Sequence, residues 1–169
     1  FDAYDGRGNA LIREEADIDP AFEKLSKSLL YAERFVPFIK ELAVIVARST
    51  TGEIKTYPVV ETVHKNNICH IVSAPAVVSE DIQQRARDVA YKAIDALEGI
   101  GVFAVELFLL ESGEVVLNEI APRVHNSGHY SIEGSKTSQF ENHIRAITGM
   151  PLGDTDMAHP VAVMVNILG

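Results

Sequence analysis

The sequence contains no tryptophan and a single cysteine, Cys69. One cysteine forms no intrachain disulfide and cannot build a cysteine-based zinc site. Its place in the apolar stretch 68–72 reads as a buried structural thiol rather than a nucleophile. Aromatic residues make up 7% of the chain, too few for a sugar-stacking platform, which argues against a two-carboxylate glycosidase. Basic residues are also scarce: 15 Lys and Arg stand against 24 Asp and Glu, a net charge of −9. Nucleic acid and anionic membrane are therefore not expected partners, because both are bound through clustered cations. A small anionic substrate remains within reach of local Arg and Lys side chains and a bound cation. No apolar run approaches the roughly 20 residues of a membrane helix, and no basic-then-apolar signal opens the chain. A soluble, cytoplasmic protein is expected, and the start at Phe1 and stop at Gly169 are read as those of a segment of something longer.

What is present is apolar and rich in β-formers. At 169 residues and 47% hydrophobic content, the chain can bury a core as one domain or two small lobes. The stretch 102–130, VFAVELFLLESGEVVLNEIAPRVHNSGHY, holds two strand patterns around the turn pair Ser112-Gly113. Glu106 interrupts the first pattern and Glu119 the second, and an even-length loop centred on the turn pair sets them opposite each other. Directly opposed side chains lie about 4.5–5.5 Å apart at Cβ, where like charges are unfavourable unless something positive sits between them. Mg²⁺ is the natural candidate, since it prefers carboxylate oxygen and shares its coordination with water and substrate phosphates. The plainer alternative is two solvated positions on a half-exposed sheet. The apolar run around Glu106, and the polar cluster Arg123, His125, Asn126, Ser127, Gly128 and His129 after Glu119, favour the metal reading.

Elsewhere, Tyr4-Asp5-Gly6-Arg7-Gly8-Asn9 is a two-glycine loop around a cation, suited to an anion-binding nest or to a plain hairpin turn. Asp19-Pro20 predicts a helix start, continuing to about Lys27 with Phe22 and Leu25 inward. Strands are predicted over 29–32, 42–48, 54–63 and 68–74, with Pro37 blocking regular continuation after 33–36. Ser79 caps a helix with Glu80 and Asp81 in its first turn. Ile82, Ala86, Val89, Ala90, Ala93 and Leu97 follow at helical spacing, and Gly99 closes it. Ser138 and Glu141 form a capping box before Phe140, Ile144 and Ile147, Gly149 with Pro151 stops that helix, and 161–168 is a last strand. His64, His70, His143 and His159 read as structural or surface residues. The order predicts an α+β fold, with helices packed on an antiparallel sheet.

Six motifs span nearly the whole chain: YDGRGN from Tyr4, YAERFVPFIKELAV from Tyr31, YPVVETVHKNNIC from Tyr57, GVFAVELF from Gly101, NEIAPRVHNSGHY from Asn118 and SQFENHIRAI from Ser138. Together they resemble the ATP-grasp enzymes, specifically the ATPase part of the fungal-type phosphoribosylaminoimidazole carboxylase family, also called 5-(carboxyamino)imidazole ribonucleotide synthetase. The resemblance implies the central segment of an ATP-grasp fold. Residues 1–34 would belong to its small lobe with the glycine-rich phosphate loop, and 35–169 to the large lobe with the metal site and bicarbonate loop. The N-terminal and C-terminal domains of the parent would lie outside the segment.

The family reaction is the ATP-dependent carboxylation of 5-aminoimidazole ribonucleotide with bicarbonate, through carboxyphosphate, in de novo purine (IMP) biosynthesis. It uses ATP and Mg²⁺. By the same resemblance, Glu106 and Glu119 are the metal ligands, and Tyr4, Asp5, Gly6 and Gly8 lie in the loop over the phosphates, with Arg7 near the transferred group. Glu33, Arg34, Phe35 and Val36 form the hinge on adenine, and Glu41 holds the ribose hydroxyls. Arg123, His125 and Asn126 bind bicarbonate, with His125 also a candidate general base. Ala121 stands where many ATP-grasp relatives carry an asparagine ligand. A homodimer is implied for the full-length protein, and the segment alone is expected to be inactive or very weak. Two alternatives remain at this stage: a formate-using ATP-grasp ligase of the same pathway, and a non-catalytic nucleotide-binding module.

Overall fold

A computed structural model describes residues 8–25, 29–65 and 68–167, which fall into two compact units. The smaller holds 8–25 and 29–37 together with Ile68; the larger holds the remainder from Phe38 onward. In the smaller unit a single 3-10 turn, Glu15–Asp17, leads into helix α1, Ile18–Leu25. The Asp17 carboxylate accepts the backbone N–H groups of Arg13 (2.8 Å) and Glu14 (3.2 Å), and that donation holds it below the usual carboxylate range. The helical chain thus begins ahead of the expected Asp19-Pro20 start. Phe22 is 62% exposed and does not face inward, while Leu25 is half-buried. Residues 29–32 form no strand. Their apolar side chains suit a strand, but β-propensity depends on context and does not form one by itself.

The larger unit is built on a seven-stranded sheet: β1 Phe38–Arg48, β2 Ile54–Thr56, β3 Val60–Lys65, β4 Ile68–Ala74, β5 Gly101–Leu110, β6 Val115–Ala121 and β7 Ala162–Val165. The order is β6-β5-β1-β3-β4-β7, with β2 on β1. Central strands β1 and β5 are apolar on both faces because both faces are covered. On one face Leu42, Val44, Val46, Phe103, Val105 and Leu107 pack against helix α2, Glu80–Leu97, through Ala86, Ala90 and Ile94. On the other, Ile45, Ala47, Val102 and Ala104 meet Ala146 of helix α4, Gln139–Thr148, which follows the single turn α3, Ser131–Gly134. Further along that second face, Ala43, Val60 and Cys69 gather around Tyr130.

The run 54–63 breaks at Tyr57-Pro58-Val59, where Pro58 has no N–H to give a ladder. Helix α2 is capped by Ser79 as expected, but the left-handed closing position is taken by Glu98 (φ 55°), one residue before Gly99. Leu97 is exposed, and Ile94 is the buried residue of the last turn. Ser138 caps α4, its Oγ accepting the Glu141 N–H, and Gly149 ends it. Its buried face, however, is Gln139, Asn142 and Ala146, while Phe140, Ile144 and Ile147 are largely exposed. That face is polar because it hydrogen-bonds loop backbone that no strand serves. The last strand is shorter than 161–168, of which Leu168 lies outside the described residues.

Candidate active site

Glu106 is the one ionisable residue of β5, a strand held between β1 and β6. Its partners across the sheet are Ala43 on β1 and Glu119 on β6. Cross-strand partners share a face. Glu106 and Glu119 therefore project to the same side, together with Ala43 and Glu41 on β1 and, through the pairs Ala43–Val60 and Glu41–Thr62, with Val60, Thr62 and His64 on β3.

The opposition of the two glutamates is reached by a route other than the even-length turn expected. Leu110 donates its N–H to Glu114 C=O and Gly113 donates to Leu110 C=O, both at 2.9 Å, so the loop has three residues, Glu111 to Gly113, with Gly113 at φ 80°. From that turn Leu109 pairs with Val115 and Leu107 with Leu117. Continued regularly, this register would set Asn118 opposite Glu106. Instead Asn118 is an extra residue, a β-bulge, and Glu119 takes the facing position. Turn and bulge each shift the pairing by one residue, and the two shifts cancel.

The Glu106 side chain is 18% exposed. Burial pushes its pKa up to about 7, with the Glu119 charge adding to the rise and Glu41 contributing less, while His64 and Arg123 oppose it. His64 Nδ1 lies 2.7 Å from Glu41 Oε2, a close approach not aligned as a hydrogen bond. The Glu41 carboxylate holds His64 above the ordinary histidine pKa, against the effect of burial. His125 Nε2 stands 3.4 Å from Glu106 Oε1. Two imidazoles and one guanidinium thus lie within electrostatic range of three carboxylates. Glu106 and Glu119 still repel each other here, and a hard cation between them would relieve that repulsion. Among the described residues no three His, Cys, Asp or Glu side chains form a ready cage, so such an ion would complete its shell with water and phosphate oxygen.

Beyond β6, Arg123 is exposed and its Nη1 donates to Val124 C=O at 3.1 Å. His125 precedes a 3-10 turn, Asn126–Gly128. Its Nδ1 accepts the Ser127 N–H (3.3 Å) and lies 2.9 Å from Ser127 Oγ, which leaves Nε2 on the side of Glu106. Asn126 Oδ1 is buried and meets no hydrogen-bond partner among the described residues. It is an acceptor in want of a donor.

Residues 1–140 match the ATP-grasp domain family. The chain belongs to that family. This ATP-grasp chain is 50% identical over 171 residues to the phosphoribosylaminoimidazole carboxylase of Ogataea methanolica, covering 99% of this chain and 32% of that protein. It matches the crystal structure of carboxyaminoimidazole ribonucleotide synthase from Aspergillus clavatus complexed with ATP at a TM-score of 0.94 and 47% identity, over 99% of this chain and 44% of that one. A second structure from A. clavatus, N5-carboxyaminoimidazole synthase with ADP and 5-aminoimidazole ribonucleotide, gives 0.93 at 46% identity, over 96% and 44%. The chain spans less than half the length of these relatives. The expected α+β ATP-grasp architecture is thereby established.

Of the expected site residues, the larger unit of the ATP-grasp chain brings together Glu41, Glu106, Glu119, Arg123 and His125, with Asn126 next in sequence. Glu33, Arg34 and Phe35 are exposed and Val36 half-buried in irregular backbone of the smaller unit. Tyr4, Asp5, Gly6 and Arg7 lie outside the described residues; Gly8 is the first described and sits in a turn. Two residues near the site were missed by sequence reasoning. His64 reads from the sequence as structural or surface, yet it stands beside Glu41. The alternation Val60, Thr62, His64 carried the signal, but reading it required the β1–β3 register. Gln139 gave no sign beyond being polar at the inward start of a helix.

Proposed function

We propose that the full-length protein containing this chain carboxylates 5-aminoimidazole ribonucleotide with bicarbonate at the expense of ATP, in de novo purine biosynthesis. The observation that carries this reading is the pair Glu106–Glu119, opposed on one sheet face with His125 and Arg123 within electrostatic range of Glu106. Similarity to proteins named for this chemistry, one of them holding ADP and 5-aminoimidazole ribonucleotide, supports it.

In this reading a bicarbonate oxygen bonds to the γ-phosphorus of ATP as the bond to the β–γ bridging oxygen breaks, giving ADP and carboxyphosphate. The amine of the ribonucleotide then bonds to the carboxyl carbon, phosphate leaves, and the amine loses a proton. Glu106 and Glu119 would hold Mg²⁺, which would supply charge neutralisation at the nucleotide phosphates. Arg123 and His125 orient bicarbonate and stabilise the charge that develops on it, and the Asn126 carboxamide oxygen accepts from a bound O–H. Glu33 to Val36 form the adenine hinge and Glu41 the ribose contact. Tyr4 to Gly8, with Arg7, form the phosphate loop. Residues 1–34 then belong to the small lobe and 35–169 to the large one. The protein acts as a cytoplasmic homodimer on small molecules.

The test is bicarbonate-dependent ADP release by the full-length protein and its Glu106→Gln and Glu119→Gln variants. Loss of at least about 100-fold in kcat is expected on removing either carboxylate. Near-wild-type turnover in both variants refutes the metal assignment. Formate replacing bicarbonate as the stimulating substrate would identify a different ligase, and nucleotide binding without turnover a non-catalytic module.

A further inference from the structure

We propose that Gln139 is a positioning residue that fixes the His125 imidazole beside Glu106, a role that rests on the function proposed above for its consequence in turnover. Gln139 is the first residue of α4 and is wholly buried, with relative exposure of 0%. Its carboxamide pairs with the backbone of His125 at two points. The His125 N–H donates to Oε1 at 3.0 Å and Nε2 donates to the His125 C=O at 2.8 Å. The backbone N–H of Gln139 donates to Ser131 Oγ at 2.9 Å, and that hydroxyl donates to Gly128 C=O at 2.6 Å. Segment 125–131 is therefore tied at both ends to the start of one helix.

The physical effect follows from what a carboxamide can do. His125 lies past the end of β6, so its N–H has no ladder partner and its C=O is otherwise met by the Gly128 N–H at 3.0 Å; a buried unpaired backbone group is costly. One side chain carrying both an acceptor and a donor replaces the missing strand. Two bonds to the same residue also fix the peptide planes on either side of its Cα, and with them the Cα–Cβ direction. The Ser127 contacts at Nδ1 then set the ring, with Nε2 3.4 Å from Glu106 Oε1. Gln139→Glu keeps the shape and the acceptor and, as a buried neutral acid, one O–H donor for the His125 C=O, so it is the conservative variant. Gln139→Met keeps the volume and loses both bonds.

The experiment uses the full-length protein with Gln139→Met and Gln139→Glu, and Tyr57→Phe as a control. Tyr57 OH donates to Thr137 C=O and accepts from Asn142 of α4, so its removal breaks a buried network against the same helix without touching His125. The readouts are kcat and KM for bicarbonate and for ATP, the melting temperature, and the His125 ring resonance at fixed pH. That resonance is assigned by its loss in His125→Asn. In Gln139→Met the resonance shifts and kcat falls on the order of 10–100-fold, while KM for ATP stays within about twofold, and Gln139→Glu lies between Gln139→Met and wild type in both resonance and kcat. Tyr57→Phe lowers the melting temperature and leaves the resonance and both KM values in place. An unmoved His125 resonance in folded Gln139→Met overturns the proposal, as does a shifted resonance with wild-type kcat and KM in a bicarbonate-dependent wild type. Absence of bicarbonate dependence in the wild type, with the resonance still shifted, removes the proposed reaction and leaves the positioning of His125 supported.

Discussion

Glu119 faces Glu106 because Asn118 is one residue in excess on β6. The bulge leaves the apolar register below it intact, with Leu107 on Leu117 and Leu109 on Val115, and shifts the strand by one residue above it. Two like charges are thereby placed side by side on a sheet face that also carries Glu41. A fold gains no stability from that arrangement. It is a feature of the kind expected where binding, rather than folding, sets the sequence.

That cost is measurable through pH. The pKa of Glu106 is raised to about 7 from 4.5, chiefly by burial and by Glu119. The folded protein then holds this proton more tightly than the unfolded chain. The stability it contributes is full below about 4.5 and is lost as pH rises through about 7. Glu106→Gln removes the titration at nearly constant shape. At pH 8 and without metal, the full-length variant should be more stable than wild type by on the order of 2 kcal/mol, the gap closing toward pH 4.5. Thermal unfolding at the two pH values checks this, and a pH-independent gap counts against it.

His64 should behave with the same sign for the opposite reason. Its pKa is raised above 6.5 by the Glu41 carboxylate, so the stabilisation is complete below the unfolded value and fades as pH climbs through the folded one. His64→Gln is expected to lose about 1 kcal/mol at pH 6 and little at pH 9, measured from denaturant midpoints. A ring titration below the free-histidine value would contradict the pairing with Glu41.

Gly128 lies under the Gln139 carboxamide. A Cβ there would stand 2.7 Å from Gln139 Cδ and 2.8 Å from Ile45 Cγ1. Gly128→Ala must displace the amide that holds His125, and a loss of roughly 1–3 kcal/mol is expected. Chemical denaturation gives the number. A neutral substitution would mean that the loop backbone retreats at little cost.

The hairpin turn offers an independent check of the three-residue loop. Gly113 has φ 80° and open space where a side chain would go, so only backbone strain opposes substitution. Gly113→Ala should cost about 1 kcal/mol, and Gly113→Asn less, because asparagine tolerates the left-handed region. Equal costs for both would indicate a turn of another type.

The local features of this chain were legible from the sequence. Ser79 and Ser138 cap helices because a hydroxyl three residues before an N–H reaches it whatever the rest of the chain does. Glu106 stood out because nothing else in β5 is charged, and the run NEIAPRVHNSGHY carried the family. An even-length turn would set Glu106 opposite Glu119, but the turn has three residues, and the bulge at Asn118 restores the facing. The approach of His64 to Glu41 and the amide pairing of Gln139 with His125 were decided by tertiary structure alone. Caps and alternation act over a few residues along one strand or helix. Registers between strands, and a helix start docked beneath a loop, depend on which distant backbone groups would otherwise go unpaired, and no short window of sequence holds both partners.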